Sequence, residues 1–316
     1  MPMLLPSLFI LYRSRSGRGV RSPDDTLVGG EDNLRFVTFE KEGRLEPGIL
    51  EGGRLSGIRG AGFDSVVALI AGGADAMARV REWTQGAAGE AFDPDATKLA
   101  APVPRPPKII CIGLNYRDHA AESKMATPDV PTVFAKFPTA ATGHRRAIVL
   151  PKNSTKPDYE AELAVVIGRG GRHIPEARWR DHVFGYTAFN DVSARDFQMA
   201  TSQWMMGKTF DTFAPFGPAI VTADEIEDPH DLDISLTLNG ETMQHSNTRE
   251  MIFRIPALIA HLSSVFTLEP GDIIATGTPS GVGFARKPPV WLRAGDEVTV
   301  RVEGLGELTN PVVAEE

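Results

Sequence analysis

The sequence of 316 residues contains a single cysteine, Cys111. One cysteine cannot form an internal disulfide, and it cannot supply a zinc site built from cysteine ligands. Basic residues are also in the minority, since 33 Lys and Arg stand against 41 Asp and Glu, for a formal charge of −8. Because nucleic-acid binding requires clustered Lys and Arg, this balance argues against a nucleic-acid partner. At first sight it argues equally against an anionic substrate.

Long apolar runs are absent as well, because none approaches the roughly 20 residues that span a bilayer. We therefore expect no membrane partner. The alternating strand–helix rhythm of a doubly wound sheet is also missing, since helices are expected only over 116–124, 195–204 and 255–265 in the main part of the chain. Strands are expected over 147–150, 160–167, 183–189, 216–221, 233–238, 272–276 and 297–302. This pattern predicts a β-rich α+β fold, a sandwich or rolled barrel with few helices.

The first 33 residues differ in composition from the rest of the chain. An apolar stretch over 3–12 is followed by four arginines between positions 13 and 21, and no acidic residue appears before Asp24. Such Arg-rich, acid-poor segments occur in organelle transit peptides, which would place the protein in mitochondria. We favour a disordered or non-native extension on a cytoplasmic protein, because chain termini are often poorly ordered.

Three further units are expected after this extension. Residues 34–100 are expected to form a small N-terminal α+β domain. Residues 101–107 are expected to form a linker, because prolines at 102, 104, 106 and 107 cannot continue regular structure. Residues 108–316 form the larger expected domain, and this domain holds the residue patterns that indicate chemistry.

The segment 158–167 combines acidic residues with an apolar, β-branched tail. In a strand, residues two apart project from the same face, so Glu160 and Glu162 would project together from the start of a buried element. Two carboxylates so placed repel each other, and the pair requires either a proton or a cation. The alternative is a solvated strand face, and the Glu-x-Glu pattern alone favours it.

A third acidic residue, Asp191, ends the next expected strand. If a helix follows at once, Asp191, Arg195 and Gln198 share one helical face by their spacing. Asp191 is then either the N-cap of that helix or a third carboxylate ligand beside Arg195 and Gln198. Three oxygen ligands without His or Cys suit Mg²⁺ or Mn²⁺, with Ca²⁺ as a further candidate, and they do not suit zinc.

His119 and Glu122 are three residues apart in an expected helix, where their side chains can form a hydrogen bond. A carboxylate that orients an imidazole produces a competent general base near neutral pH. The alternative is an ordinary surface His–Glu pair. The polar, proline-containing segment 123–131 that follows is expected to be a mobile loop.

Five segments of the chain together resemble motifs of the fumarylacetoacetate hydrolase superfamily, in the order in which that family carries them. The resemblance covers about residues 108–311 and is to the branch with acylpyruvases and 2-hydroxyhepta-2,4-diene-1,7-dioate isomerases. The motifs are GLNYRDHAAE at 113–122, YEAELAVVIG at 159–168, GYTAFNDVSARD at 185–196, GKTFD at 207–211 and TGTPSGVG at 276–283.

The resemblance implies a β-rich roll that assembles as a homodimer, with a small N-terminal unit in two-part members. It implies that a divalent metal is bound by Glu160, Glu162 and Asp191. It also implies a water-activating pair, a residue that stabilises negative charge, and three residues that hold substrate oxygens. These are His119 with Glu122, then Lys208, then Arg195, Gln198 and Thr278.

We expect a metal-dependent hydrolase that cleaves a C–C bond in a small anionic diketo acid, such as an acylpyruvate, through a stabilised enolate. The preserved pair of His119 and Glu122 favours hydrolysis, because water activation requires a base. An isomerase or decarboxylase of hydroxymuconate-type diacids or oxaloacetate, in the breakdown of aromatic compounds, is the alternative. A non-catalytic binding protein on the same fold is a second alternative.

Overall fold

The computed structural model describes residues 34–86, 90–123 and 126–316. Strands dominate, and helices are short and few. The strands are β1 (Arg35–Lys41), β2 (Arg44–Glu51), β3 (Arg54–Gly57), β4 (Ala91–Phe92), β5 (Leu99–Ala100), β6 (Ile109–Gly113), β7 (Thr132–Lys136), β8 (Ala141–Thr142), β9 (Ile148–Leu150), β10 (Pro157–Asp158), β11 (Ala161–Ile167), β12 (Val183–Asn190), β13 (Ser193–Ala194), β14 (Ala214–Thr222), β15 (Asp233–Leu238), β16 (Glu241–Asn247), β17 (Ile273–Ala275), β18 (Glu297–Val302) and β19 (Gly306–Ala314).

The helices are α1 (Val66–Ala71), α2 (Gly73–Gly86), α3 (Arg117–Glu122), α4 (Arg195–Gln198), α5 (Met205–Lys208) and α6 (Ile255–Val265). Short 3₁₀ turns lie at Arg59–Ala61, Pro138–Ala140, Glu176–His182, Thr248–Glu250 and Gly283–Ala285. Within the described ranges, no helix is long and apolar enough to cross a membrane. The β-rich α+β fold class expected from the sequence is confirmed.

Two mixed sheets and one two-stranded pair contain the strands of the described residues. The large sheet runs in the order β4-β3-β2-β1-β14-β12-β11-β17-β6-β7, with β5 paired to β1 and β8 paired to β14. The second sheet runs in the order β16-β15-β18-β19-β9, and β10 pairs with β13 separately. Most neighbouring strands are antiparallel, but β17 and β6 are parallel. Because a tight hairpin joins only antiparallel strands, hairpins between consecutive strands do not produce this strand order.

The large sheet includes strands from the N-terminal unit. Strand β1 pairs with β14 in antiparallel register, with Arg35 opposite Val221. Side chains from both parts also share a hydrophobic core, in which Phe36 and Phe216 are fully buried. The expected unit boundaries at 100 and 107 stay a prediction, and the expected extension of 33 residues lies outside the described part of the chain.

Strand β11 lies between two layers of the core, which explains its unbroken apolar sequence from Leu163 to Ile167. Leu163, Val165 and Ile167 contribute to one core cluster. Ala164 and Val166, which project from the opposite face, contribute to another. A strand covered on both faces needs apolar residues at every position. The acidic residues just before and at its start therefore enter the protein interior together with it.

Two expected helices differ from the observed ones. The helix expected over 255–265 is confirmed as α6, and the one expected over 116–124 is shorter, ending at Glu122. The helix expected over 195–204 is wrong, because α4 ends at Gln198 and α5 begins at Met205. Thr201 forms local hydrogen bonds in both directions with Gln203, and such contacts compete with helical ones.

Candidate functional site

Three buried carboxylates meet where β11 begins beside the end of β12, two central strands of the large sheet. Oxygen atoms of Glu160, Glu162 and Asp191 lie within 4.8 Å of one another. The side chains are almost completely removed from solvent, with residue exposures of 5%, 1% and 0%. The solvated strand face considered for the Glu-x-Glu pattern is therefore wrong, and the two acids project together into the interior.

Antiparallel pairing brings the third acid to the other two. Strands β11 and β12 are in register with Ala161 opposite Asn190, so one strand begins where the other ends. The backbone N–H of Asp191 donates to the carbonyl of Glu160 at 2.9 Å. The amide oxygen of Asn190 accepts from the N–H of Glu160 at 3.0 Å. These two contacts fix Asp191 beside the start of β11.

Three cationic side chains surround the acids. Nη2 of Arg195 lies 2.6 Å from Glu160 Oε1, and Lys208 Nζ lies 2.8 Å from Glu160 Oε2. Lys208 Nζ also lies 2.7 Å from Asp191 Oδ2, and Lys136 Nζ lies 2.5 Å from Asp191 Oδ1. All three cations are buried, so these pairs are little screened by solvent.

The charges set the protonation states of the paired groups. Burial would raise the pKa of Glu160, but the Lys208 and Arg195 charges outweigh burial and hold this pKa below its usual value. Burial opposes the charged form of Lys208, yet the Asp191 and Glu160 carboxylates raise its pKa. Glu160 is therefore an anion and Lys208 a cation in the folded protein.

Glu162 has a different environment from Glu160. Among the described residues it forms no ion pair, and its Oε2 accepts one hydrogen bond of 2.8 Å from the backbone N–H of Gly277. Burial, followed by the Asp191 and Glu160 charges, raises its pKa well above the usual value. A buried carboxylate that lacks a cationic partner and lies beside two other carboxylates is the arrangement that a bound divalent cation would neutralise.

The donor set fits a hard divalent cation. It consists of three carboxylates without nitrogen or sulfur ligands, and this composition is typical of Mg²⁺ or Mn²⁺ sites. Glu160 and Asp191 keep their orientation through Lys208, which contacts both of them. The residues present thus fit the kind of ion that the sequence predicts.

His119 and Glu122 lie on the short helix α3 next to this centre. His119 Nδ1 is 3.4 Å from Glu122 Oε2, and His119 is 7% exposed. The backbone N–H of Gly281 donates to both oxygens of Glu122, at 3.0 and 3.1 Å. The interpretation as an ordinary surface pair is therefore wrong for His119, which is buried and lines the same cavity as the acids.

A small cavity of about 130 Å³ opens between these groups. Pockets for drug-sized ligands are larger, typically ~300–1,000 Å³. Its walls include the aromatic side chains of Phe134, Trp204 and Phe284, and the exposed Met199. Charged groups line one part of the cavity, and apolar side chains line the rest. Such a cavity suits the binding of a small organic acid.

Eight of the nine site residues expected from the sequence line this cavity. They are His119, Glu160, Glu162, Asp191, Arg195, Gln198, Lys208 and Thr278. The ninth residue, Glu122, contacts His119. Gln198 accepts a hydrogen bond of 2.9 Å from Arg195 Nη1, and the hydroxyl of Thr278 donates to the carbonyl of Ala161 at 2.9 Å. Their individual roles stay predictions.

The expected helical face of Asp191, Arg195 and Gln198 is wrong. Ser193–Ala194 forms strand β13, which pairs with Pro157–Asp158, so the helix begins only at Arg195. Asp191 is also not an N-cap. The three side chains nevertheless line one cavity. Arg195 contacts both Gln198 and Glu160, and Lys208 joins Glu160 to Asp191.

Sequence reasoning missed two charged residues of the site, Lys136 and Asp158. Lys136 Nζ donates to the carbonyls of Val192 and Phe213, at 2.9 and 2.5 Å, in addition to its contact with Asp191. The alternation of Phe134 and Lys136 on one face of β7 was a weak signal, because Phe134 also lines the cavity. Asp158 lies close to the acidic pair in sequence, but hydrogen-bond partners such as Arg195 and Gly283 are distant from it in sequence.

Comparisons with known proteins identify similar sequences and similar folds. A family model for the C-terminal part of fumarylacetoacetate hydrolase matches residues 108–313. The chain is 44% identical over 292 residues to the mitochondrial oxaloacetate tautomerase Fahd2a of Rattus norvegicus, covering 89% of this chain and 92% of that protein.

Two solved structures share the architecture. Fumarylacetoacetate hydrolase from the psychrophile Exiguobacterium antarcticum has a TM-score of 0.79 and 36% identity, covering 89% of this chain and 100% of that chain. Maleylpyruvate hydrolase from Sphingobium sp. SYK-6, solved with manganese(II) and pyruvate, has a TM-score of 0.76 and 31% identity, with coverage of 89% and 100%.

Proposed function

Because the chain belongs to the fumarylacetoacetate hydrolase family, we propose that it is a divalent-metal-dependent enzyme that interconverts the keto and enol forms of a small 2-oxo acid such as oxaloacetate. The observation that carries the proposal is the buried triad of Glu160, Glu162 and Asp191 beside His119 in one small cavity. The 44% identity to a rat oxaloacetate tautomerase supports this choice of reaction among those of the family.

The triad would hold Mg²⁺ or Mn²⁺, and the bound ion would act as a Lewis acid toward the 2-oxo carboxylate group of the substrate. Manganese is supported by the related maleylpyruvate hydrolase structure that contains it. Tautomerisation moves one proton between the carbon next to the 2-oxo group and the 2-oxo oxygen. The protein must therefore supply a base near that carbon and positive charge near that oxygen.

His119 is the base in this proposal, since it lines the cavity and its Nδ1 faces the carboxylate of Glu122 at 3.4 Å. Glu122 orients the imidazole and leaves Nε2 for the proton of the substrate carbon. Lys208 supplies a fixed positive charge where the oxygen becomes negative. Arg195, Gln198 and Thr278 would hold substrate oxygens, and the aromatic walls would exclude water.

Hydrolysis of a C–C bond in a diketo acid such as an acylpyruvate is the second candidate. The same His119–Glu122 pair could deprotonate water, and the related maleylpyruvate hydrolase supports this possibility at 31% identity. Both reactions pass through an enolate, so the metal ligands alone do not distinguish them. The difference is whether water or a carbon-bound proton faces His119.

The two candidates are separated by one experiment on the full chain. Proton NMR in H₂O, with Mg²⁺ as the diamagnetic ion, follows the enol and keto signals of oxaloacetate, and parallel samples follow acetylpyruvate for the appearance of acetate and pyruvate. We expect faster equilibration of oxaloacetate tautomers, with a loss of about 10²–10⁴-fold in His119→Ala. Acetate and pyruvate release without tautomer equilibration would establish the hydrolase instead.

The cellular location and the assembly are further parts of the proposal. The similar rat enzyme is named as mitochondrial, which favours the mitochondrial alternative over the cytoplasmic one. The segment 1–33 that would direct import lies outside the described residues. The homodimer implied by the family resemblance is retained as a proposal, and light scattering of the purified chain tests it directly.

A further inference from the structure

Asp158 carries a fully buried carboxylate that the reaction outlined above does not use. Its Oδ1 accepts from the backbone N–H groups of Tyr159 and Gly283, both at 2.8 Å. Its Oδ2 accepts from the N–H of Phe284 at 3.0 Å and from Nε of Arg195 at 2.8 Å. The Asp158 carboxylate therefore joins the Arg195 guanidinium to the backbone at Gly283 and Phe284, almost 90 residues after Arg195 in the chain.

Asp158 and Glu160 both contact the Arg195 guanidinium. Nη2 of Arg195 is 2.8 Å from Asp158 Oδ2 and 2.6 Å from Glu160 Oε1. Within the described part of the chain, these two carboxylates are the acidic groups that pair with Arg195. Charge-assisted hydrogen bonds are stronger than neutral ones. Without the charge on Asp158, Glu160 would be the remaining anionic partner of the guanidinium among the described residues, and the guanidinium would be drawn toward Glu160.

The loop that Asp158 holds extends to the proposed base. Gly281, two residues before Gly283, donates its N–H to the carboxylate of Glu122. The ring of Phe284 packs against the Arg195 guanidinium, with 4.8 Å between the guanidinium carbon and the ring centroid. The segment 281–284 thus contacts both the substrate-binding arginine and the partner of His119.

The approach of this loop to Asp158 is unusually close. A Cβ atom on Gly283 would lie 2.5 Å from Asp158 Oδ1 and 2.0 Å from the carbonyl oxygen of Val290. Such distances are too short for any side chain, so only glycine allows the backbone N–H to reach the carboxylate. The contact is therefore built into the loop and cannot be an accidental surface pair.

We propose that Asp158 is a positioning residue that fixes Arg195 and the 281–284 loop in one arrangement. Arg195 then meets the carboxylate of a 2-oxo acid in a single orientation, while Gly281 keeps Glu122 in place. This inference rests on the proposed function, because it assigns Arg195 to the substrate. Small errors in the placement of a group that positions the substrate are costly, and 1 Å can lower the reaction rate by as much as about 10²-fold.

The test replaces Asp158 by asparagine, which preserves its shape and removes its charge. Each oxygen of Asp158 accepts from two donors, so the amide NH₂ must face a donor in either orientation. In the full chain loaded with Mn²⁺, calorimetry should show oxalate binding weakened by about tenfold or more in Asp158→Asn. The affinity for Mn²⁺ alone should change by less than the affinity for oxalate.

Asp196→Asn is the matched control. Asp196 is adjacent to Arg195 and accepts from Thr155 N, Ser154 Oγ and Phe197 N, at 2.8, 2.8 and 3.1 Å, without contacting the guanidinium. This control should keep oxalate affinity within about threefold of the wild type. An equal loss of oxalate affinity in both variants would show a general structural effect and would overturn the proposal.

A second measurement separates this inference from the proposed function. The Nε–H signal of Arg195 in ¹⁵N NMR spectra should be protected from exchange in the wild type and lost or shifted in Asp158→Asn. If the wild type binds no oxalate, the proposed function fails, and the NMR signal still decides whether Asp158 positions Arg195. An unchanged signal, or unchanged oxalate affinity in folded Asp158→Asn, would overturn the inference.

Discussion

Glu160 and Glu162 provide a direct test of the charge balance, because they are two residues apart and have opposite surroundings. Glu160 pairs with Arg195 and Lys208, whereas Glu162 accepts a hydrogen bond from Gly277 and has no cationic partner among the described residues. Conversion of each to glutamine removes the ionisable group with little change in shape. We expect opposite effects on the stability of the metal-free protein and similar losses of metal binding.

Glu160→Gln removes the anion from two buried ion pairs. Its oxygens are 2.6 Å from Arg195 Nη2 and 2.8 Å from Lys208 Nζ, and all three residues are buried. Removal of one partner from a buried ion pair typically costs about 3–5 kcal/mol, because the other charge is left without compensation. At about 2–4 °C per kcal/mol for domains of this size class, the melting temperature should fall by about 6–20 °C.

Glu162→Gln should have the opposite sign in the metal-free protein. Burial and the neighbouring acids raise the pKa of Glu162 in the folded state. When the pKa of a carboxyl group is higher in the folded state than in the unfolded state, the group contributes its full stabilisation at pH values below the unfolded-state pKa. This stabilisation is lost as the pH rises toward and through the folded-state pKa. A difference of one bound proton changes the free energy of unfolding by at most about 1.4 kcal/mol per pH unit. The wild type therefore loses at most about 3 kcal/mol of stability through Glu162 between pH 4.5 and pH 7.

The assay is urea unfolding with EDTA at pH 5 and pH 7, followed by calorimetric titration with Mn²⁺. At pH 7, Glu162→Gln should be at least as stable as the wild type, and Glu160→Gln should be clearly less stable. Both should bind Mn²⁺ at least about 100-fold more weakly, since even residues behind the ligands cost 10–100-fold. Equal destabilisation of the two variants, or unchanged Mn²⁺ affinity in either, would refute the reasoning.

Three further outcomes are expected. Lys136→Met should cost about 3 kcal/mol in urea unfolding, because Asp191 loses one buried partner but keeps Lys208. His119→Ala should retain Mn²⁺ binding while tautomer exchange falls by about 10²–10⁴-fold, and full activity would exclude it as the base. Burial and Arg145 lower the pKa of His144 to about 4, so stability should fall by up to about 3 kcal/mol from pH 6.5 to pH 4. His144→Asn should show a smaller decline in unfolding experiments at these pH values.

Local periodicity explains why the acidic residues could be found without a structure. A strand places alternate residues on one face, so the positions of Glu160 and Glu162 relative to each other followed from their spacing. The apolar tail at 163–167 predicted a buried strand, and β11 is buried along its whole length. These inferences use only neighbouring residues, and the elements concerned agree with the structure.

The charge partners depend on contacts that spacing does not encode. Lys136 reaches the carbonyl of Val192 across 56 residues of sequence, and Asp158 reaches Gly283 across 125. The helix expected to hold Asp191 begins only at Arg195, because β13 pairs with a strand more than 30 residues earlier. Such pairing is decided by packing of the whole sheet, which one local pattern cannot specify.

The net charge of −8 does not exclude an anionic substrate, because the charge at the site has its own balance. With a divalent ion bound, the buried carboxylates of Asp158, Glu160, Glu162 and Asp191 count −4, Lys136, Arg195 and Lys208 count +3 and the ion counts +2, for a formal sum of +1. Without the ion, the raised pKa of Glu162 favours its neutral form, and the formal sum is no greater than 0. Binding of a carboxylate substrate should therefore depend on the divalent ion, so that calorimetry with oxalate shows binding when Mn²⁺ is present and markedly weaker binding in EDTA. Equal oxalate affinity in both conditions would place the attraction on the cationic side chains alone.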